Sequence, residues 1–136
     1  MFHLADISNP GKPWKLCQMW CDLLFVEFFA QGDLEKMHNF PVSQFFDRTT
    51  TNIAKSQLGF IDFIVKPAFI TVARIFPSLG HIEQACETNK LNWSALFDEY
   101  EEELKKGNTQ PGVVESYLRL VPRVRVPSEM NKRKSR

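Results

Sequence analysis

The stretch DRTTTNIAKSQLGFIDFIVKPAFITVARIFP, residues 47–77, decides the fold class. Asp47 and residues 50–52 offer side-chain oxygens that can cap a helix start. The apolar residues that follow recur at helical spacings of three, four and seven, at Ile53, Phe60, Ile61, Ile64 and Val65. Pro67 predicts a kink or a break, followed by a second helical segment, 68–76, that ends before Pro77.

The segments on either side of this stretch are also predicted to be helical. Pro13 suits the first turn of a helix that Gly32 should end, and residues 33–38 predict one more helical turn. The apolar residues of this first helix lie at helical spacing and cover so much of its circumference that burial on most sides is expected. They include Leu16, Trp20, Leu23, Leu24 and Phe28.

After Pro77, residues 79–89 predict a short amphipathic helix. Residues 92–106 predict a separate helix that Asn92 caps and Gly107 ends. No alternating pattern of apolar and polar residues competes with these segments, so the chain is predicted to be all-α. Residues 1–106 are predicted to form the folded part. Residues 107–136 are predicted to be an irregular basic tail with one helical turn near 115–120.

Composition limits the classes of function that are open to the chain. Its 136 residues are 43% hydrophobic, which is enough for the core of one domain, and the formal charge of +1 gives no basis for a nucleic-acid partner. The three cysteines form no C-x-x-C pair, so they are expected to be core or near-surface thiols rather than disulfides or metal ligands. Neither a signal peptide nor an apolar run of about 20 residues is present, which favours a soluble cytoplasmic protein.

Three residues stand out chemically. Asp6 lies between apolar neighbours at a predicted helix end, where the carboxylate can serve as a turn cap or a metal ligand. Gln57 and Phe60 are three residues apart and share one helical face. An amide there can make a structural polar contact, or it can pair with the edge of a purine while the aromatic ring stacks on the purine face.

Three motifs in a fixed order give these residues a context. They are ADISNPGKPW (5–14), WCDLLFVEFFAQGD (20–33) and DRTTTNIAKSQLGFIDFIVKP (47–67). Together they resemble the C-terminal part of the catalytic domain of class I cyclic nucleotide phosphodiesterases, and the resemblance runs from residue 3 to residue 76. It implies the helical part of a multi-helix catalytic domain. It also implies metal-dependent hydrolysis of cAMP or cGMP to the 5′-monophosphate.

The resemblance also implies roles for particular residues. Asp6 corresponds to a metal-ligating aspartate, and Asn9 to an asparagine near the base. Gln57 corresponds to the glutamine that binds the purine edge, and Phe60 to the aromatic residue that stacks on the purine. Leu24 corresponds to the residue on the opposite face of the purine. The residues expected to line the rest of the pocket are Trp20, Phe28 and Phe45.

The same resemblance implies that much of the active site is missing. The family uses two divalent ions, zinc together with magnesium or manganese, and a proton-donating histidine; all ligands except the last aspartate lie upstream of the matched segment. His3, His38 and His81 are not in His-Asp pairs, so no catalytic residue is assigned here. The chain alone is therefore expected to be inactive and to need missing upstream helices.

Several alternatives stay open from the sequence. The chain can instead be a truncated, non-catalytic helical module that binds a nucleotide or another protein. Adenine or guanine preference is open, as is homodimer formation. The terminal NKRKSR (131–136) can be an interaction tail or simply a solvated one.

Overall fold

A computed structural model describes residues 2–107. Five α-helices follow one another in this part of the chain, and they include no β-strand, as the all-α prediction requires. They are α1 (Phe2–Asp6), α2 (Trp14–Met37), α3 (Ile53–Phe60), α4 (Lys66–Ile75) and α5 (Gly80–Lys105). The turn predicted near 115–120 and the basic tail lie outside the described residues.

Helix α2 is longer than predicted. It begins directly after Pro13, as expected, but it continues through Gly32 to Met37. The prediction that Gly32 ends the helix is wrong, because this glycine serves a tertiary contact instead. A Cβ at position 32 would lie 2.0 Å from the carbonyl O of Phe46, so only glycine lets the following loop approach the helix this closely.

The core uses one face of α2. The buried side chains of this helix are spaced four apart, at Cys17, Cys21, Phe25 and Phe29, and Gly32 is buried one turn later. They pack with Ile53, Ala54 and Ile61 from the α3 region and with Trp93 of α5. The other apolar faces of α2 are largely exposed, so residues 2–107 do not provide the wide burial that was expected for this helix.

Helices α3 and α4 are joined by a π-helical turn, Ile61–Val65, so the chain stays helical from Ile53 to Ile75. The N–H of Lys66 donates to the carbonyl of Ile61, a bond five residues back, directly before Pro67. Pro67 thus changes the hydrogen-bond pattern and does not stop the helix, because it sits in the first turn of α4, where a missing N–H is tolerated. As predicted, α4 ends before Pro77.

Helix α5 runs unbroken across the predicted gap between residues 89 and 92. Asn92 is therefore not an N-cap, and its predicted role is wrong. Cys86, Asn89, Trp93 and Tyr100 are buried along one face, so packing continues through the segment that sequence reasoning divided. The end of the helix is as predicted, with Gly107 at a φ of 73° directly after the C-cap Lys106.

Helix α5 is the element against which the others are arranged. It packs on α3, on α4 and on the 3₁₀ turn Asn9–Gly11. Asp62 pairs with Lys90 at 2.7 Å, and Lys66 pairs with Glu87, which joins the α3–α4 segment to α5 at its surface. A search of the described helices for one long and apolar enough to cross a membrane finds none.

Candidate functional site

The first predicted site residue, Asp6, is the last residue of α1. Its side chain is exposed and forms no ion pair or hydrogen bond with the other residues between 2 and 107. The backbone turns directly after it, where Ile7 N donates to His3 O and the Ser8 hydroxyl donates to Ala5 O at 2.7 Å. The carboxylate is thus not used as a cap within the described residues, and it remains accessible to a ligand.

Asn9 begins the 3₁₀ turn that follows. Its Nδ2 donates to the carbonyl of Cys17 in α2 at 3.3 Å, which fixes the orientation of the amide. The other end of the amide, Oδ1, is buried and has no hydrogen-bond partner among the described residues. A buried acceptor without a partner is costly, so this oxygen is available to a donor from outside the described residues.

Gln57 lies in α3, a helix whose start is capped as predicted, since Asn52 Oδ1 accepts from Lys55 N at 2.8 Å. The Gln57 side chain is only 5% exposed. Within residues 2–107 its amide forms no hydrogen bond. The structural polar contact that sequence reasoning left open is therefore not made by this part of the chain.

Phe60 lies one turn after Gln57 and is half-buried. It packs against a cluster formed by Val65, Phe69 and Cys86, and Leu4 and Ile7 pack against the same cluster. Leu4 and Ile7, which lie on either side of Asp6 in the sequence, therefore pack against the same core cluster as Phe60, the predicted stacking residue. A second contact between predicted site elements is the hydrogen bond from Asn9 to Cys17 of α2.

The residues expected to complete the pocket are more dispersed. Trp20 and Leu24 are 54% and 40% exposed on α2. Phe28 packs against the α2 core cluster rather than against Phe60, and its ring stacks on Phe46 at 4.2 Å between centroids. Phe45 is exposed and has a φ of 70°, an uncommon conformation for a residue other than glycine.

The position of Phe45 depends on how the loop between α2 and α3 is fastened. Glu35 accepts from Ser43 N and Ser43 Oγ at 2.7 and 2.9 Å. Lys36 pairs with Asp47 at 2.6 Å, and its hydrogen bond is the main reason that the pKa of Asp47 falls to about 2. Arg48 adds a two-pronged hydrogen bond to Asp33. These contacts hold the loop against the C-terminal half of α2.

Sequence reasoning missed Asn89. This residue is 2% exposed, and its Nδ2 donates to the carbonyls of both Pro10 and Lys12 at 2.7 Å. It thereby ties the turn that carries Asn9 to the middle of α5. One signal was present in the sequence: Cys86, Asn89 and Trp93 have the three-and-four spacing of a single helical face, which places a polar residue on an otherwise apolar face.

The described residues do not fit a metal centre by themselves. Between residues 2 and 107 no three His, Cys, Asp or Glu side chains come close enough together to hold an ion. Of the core and near-surface positions expected for the three cysteines, the structure shows core positions for all three, and burial raises the pKa of Cys86 to about 11 and those of Cys17 and Cys21 as well. A protein metal site needs three or four ligands, so Asp6 alone is insufficient.

Comparison with known proteins supplies the context for this arrangement. The family profile described as 3′5′-cyclic nucleotide phosphodiesterase matches residues 1–86. A probable 3′,5′-cyclic phosphodiesterase of Caenorhabditis elegans is 47% identical over 73 residues, which are 54% of this chain and 11% of that protein. The dual specificity calcium/calmodulin-dependent 3′,5′-cyclic nucleotide phosphodiesterase 1B of Bos taurus is 51% identical over 69 residues, 51% of this chain and 13% of that protein.

The fold is shared with solved structures as well. The phosphodiesterase domain of the RhoPDE fusion protein from the choanoflagellate Salpingoeca rosetta superimposes with a TM-score of 0.67 at 33% identity, over 74% of this chain and 32% of that one. The chain therefore spans about a tenth of the curated relatives and about a third of this solved domain. With more than half of its residues matched by the family profile, the chain belongs to the class I 3′,5′-cyclic nucleotide phosphodiesterase family.

Proposed function

We propose that this chain is the C-terminal, nucleotide-binding portion of a phosphodiesterase catalytic domain that hydrolyses cAMP or cGMP to the 5′-monophosphate in the cytoplasm. The observation that carries the proposal is the side chain of Gln57, which is only 5% exposed and whose amide makes no hydrogen bond to the other residues between 2 and 107. Within the described residues the donor and acceptor of this amide are free to pair, and the edge of a purine supplies both a donor and an acceptor to match them.

Other residues have supporting roles in this proposal. Phe60 stacks on the purine from the same helix, and Leu24 faces the opposite side of the base. Asn9 offers its unpaired Oδ1 near the base. Trp20, Phe28 and Phe45 line the remainder of the pocket.

The catalytic chemistry requires groups that this chain does not contain. In the proposal, Asp6 is one ligand of a centre of two divalent ions, zinc with magnesium or manganese, and the remaining ligands and the proton donor come from polypeptide outside these residues. The large exposed apolar side chains of α2 support this division, because monomers seldom expose so large an apolar surface. These side chains are Leu16, Met19, Trp20, Leu23 and Leu24.

The test is Gln57→Leu, measured in the complete protein that contains this chain. Loss of the amide should raise the KM for the cyclic nucleotide by roughly tenfold or more, with a smaller change in kcat. The same change should leave the Tm of the 136-residue chain unchanged or raise it, because an amide that makes no hydrogen bond within residues 2–107 is replaced by an apolar side chain of similar size. Measuring KM for cAMP and for cGMP separately also determines base preference.

The matched control is Gln84→Leu, the same change at an exposed position of α5, which should leave KM and kcat as they are. A Gln57→Leu protein with the wild-type KM for both nucleotides would contradict the assignment of Gln57. So would a fall in Tm as large as that of an ordinary core mutation, because it would mean that the amide has a structural partner.

A second candidate is a non-catalytic module that binds a nucleotide or another protein. It is favoured by the single carboxylate at the proposed metal position, since one ligand does not hold an ion. Binding of cyclic nucleotide by the native protein without turnover in zinc with magnesium or manganese would support this candidate over the enzyme.

A further inference from the structure

Asn89 joins two parts of the chain that are far apart in sequence. Its side-chain nitrogen donates at 2.7 Å to the carbonyls of Pro10 and Lys12, which are 79 and 77 residues away along the chain. The residue is 2% exposed, so these bonds form where water does not compete. Both amide hydrogens are used, one for each carbonyl.

The chemistry of this contact is specific to asparagine. An aspartate has the same shape, but its carboxylate would present acceptors to two carbonyl acceptors in a buried place. Leucine would leave the two carbonyls without a donor. Glutamine would carry its donors one methylene too far. Replacing Asn89 with aspartate or leucine should therefore release the turn from α5, because carbonyls that are buried without a donor are more stable when they are exposed to water.

The same turn makes a second close contact with α5, between Gly11 and Ile82. A Cβ at Gly11 would lie 2.5 Å from Ile82 Cγ2, whereas the next nearest atoms of Ile82 and Cys86 are both 3.7 Å away. The turn is therefore closer to α5 than a residue with a Cβ would permit unless Ile82 moved. Asn9, in the same turn, donates to Cys17 of α2 and so links the turn to a second helix.

Helix α5, which holds the Asn9–Gly11 turn, also packs against α3, the proposed base-binding helix. Helix α3 packs on α5, and Phe60 rests on a cluster that contains Cys86 and is flanked by Ile82. Asn89 lies one turn beyond Cys86 on the same face of α5. One face of α5 thus sets the distance between the turn that carries Asn9 and the helix that carries Gln57 and Phe60.

We propose that Asn89 is a positioning residue of the nucleotide site, which holds Asn9 in register with Gln57 and Phe60 by donating both amide hydrogens to the turn. This inference rests on the proposed function, because it presumes that these residues bind the nucleotide. Asn89 itself does not touch the substrate. Its effect reaches the site only through the position of the turn.

The first test is Asn89→Asp in the complete protein, with Asn92→Asp as the matched control in the same helix. Asn89→Asp should raise the KM for the cyclic nucleotide roughly tenfold and change kcat less, since a displaced binding group weakens binding. Hydrogen exchange should speed up at the amides of Gly11 and Lys12, which are bonded within the turn to Ser8 O and Asn9 O. The control should change neither quantity.

The second test moves the turn without touching Asn89, and it applies even when Asn89→Asp fails to fold. Gly11→Ala should raise KM because the added Cβ collides with Ile82 Cγ2. Ile82→Ala removes that atom, so the double variant Gly11→Ala/Ile82→Ala should restore KM toward the wild-type value. A structural defect without positioning would lower Tm in both variants and would not show this recovery of KM.

The outcomes separate the two proposals. Faster exchange in the turn with an unchanged KM would overturn the positioning role of Asn89 while leaving the proposed function intact. The same conclusion follows when Gly11→Ala leaves KM unchanged or when the double variant fails to recover it. A wild-type protein that neither binds nor hydrolyses cyclic nucleotide would overturn both proposals at once.

Discussion

The absence of a Cβ at Gly32 allows the loop before α3 to pack directly on α2. The carbonyl O of Phe46 occupies the space that a Cβ would need, and Phe46 in turn stacks on Phe28. From the sequence, a glycine after an apolar helical run indicates a helix end, and nothing local distinguishes that use from a close approach of distant backbone. The prediction for Gly32 failed because its reason lies 14 residues away in the loop.

Gly32→Ala tests this interpretation by the sign of its effect. Helix propensity alone would make alanine more stable than glycine within α2, by up to about 1 kcal/mol. The contact with Phe46 should reverse that sign and destabilise the chain by about 1–3 kcal/mol. Urea unfolding followed by circular dichroism measures the difference. Gly80→Ala is the control, because nothing lies within 4 Å of a Cβ built there; a stabilised Gly32→Ala would refute the contact.

At the scale of elements, the sequence predicts what is locally determined. The cap of α3 at Asn52 and the end of α5 at Gly107 depend on side-chain and backbone chemistry within a few residues. Which face of α2 is buried is not local, since apolar residues lie around most of the helix and packing against α3 and Trp93 selects one row. The unbroken course of α5 is likewise set by a continuous buried face.

Asn52 and Asn92 give a paired test of these element boundaries. Both were predicted to be helix caps, but only Asn52 lies at a helix start. Asn52→Ala should cost about 1 kcal/mol of unfolding free energy, because Lys55 N loses its acceptor. Asn92→Ala should be neutral or stabilise the chain by up to about 0.7 kcal/mol, because alanine is the better helix former within α5. Equal losses in both variants would place a helix start at Asn92 and contradict the single α5.

At the scale of the whole molecule, the described residues supply only one side of the proposed site. Motif order in the sequence was enough to indicate the family. The sequence did not reveal Asn89, because its partners are backbone carbonyls, which carry no side-chain signature. The resemblance did indicate how little of the metal centre these residues supply, because Asp6 is the only metal ligand that it assigns to them.

The central claim is that these residues bind the nucleotide while the other metal ligands come from further polypeptide. The most direct test is the intact mass of the native protein, purified from its own cells and measured with peptide coverage beyond residue 1. The account predicts a species much larger than 15.8 kDa that carries His-Asp pairs upstream of the ADISNPGKPW motif. A native species of 15.8 kDa that begins at Met1 would contradict the account and leave the non-catalytic module as the better explanation.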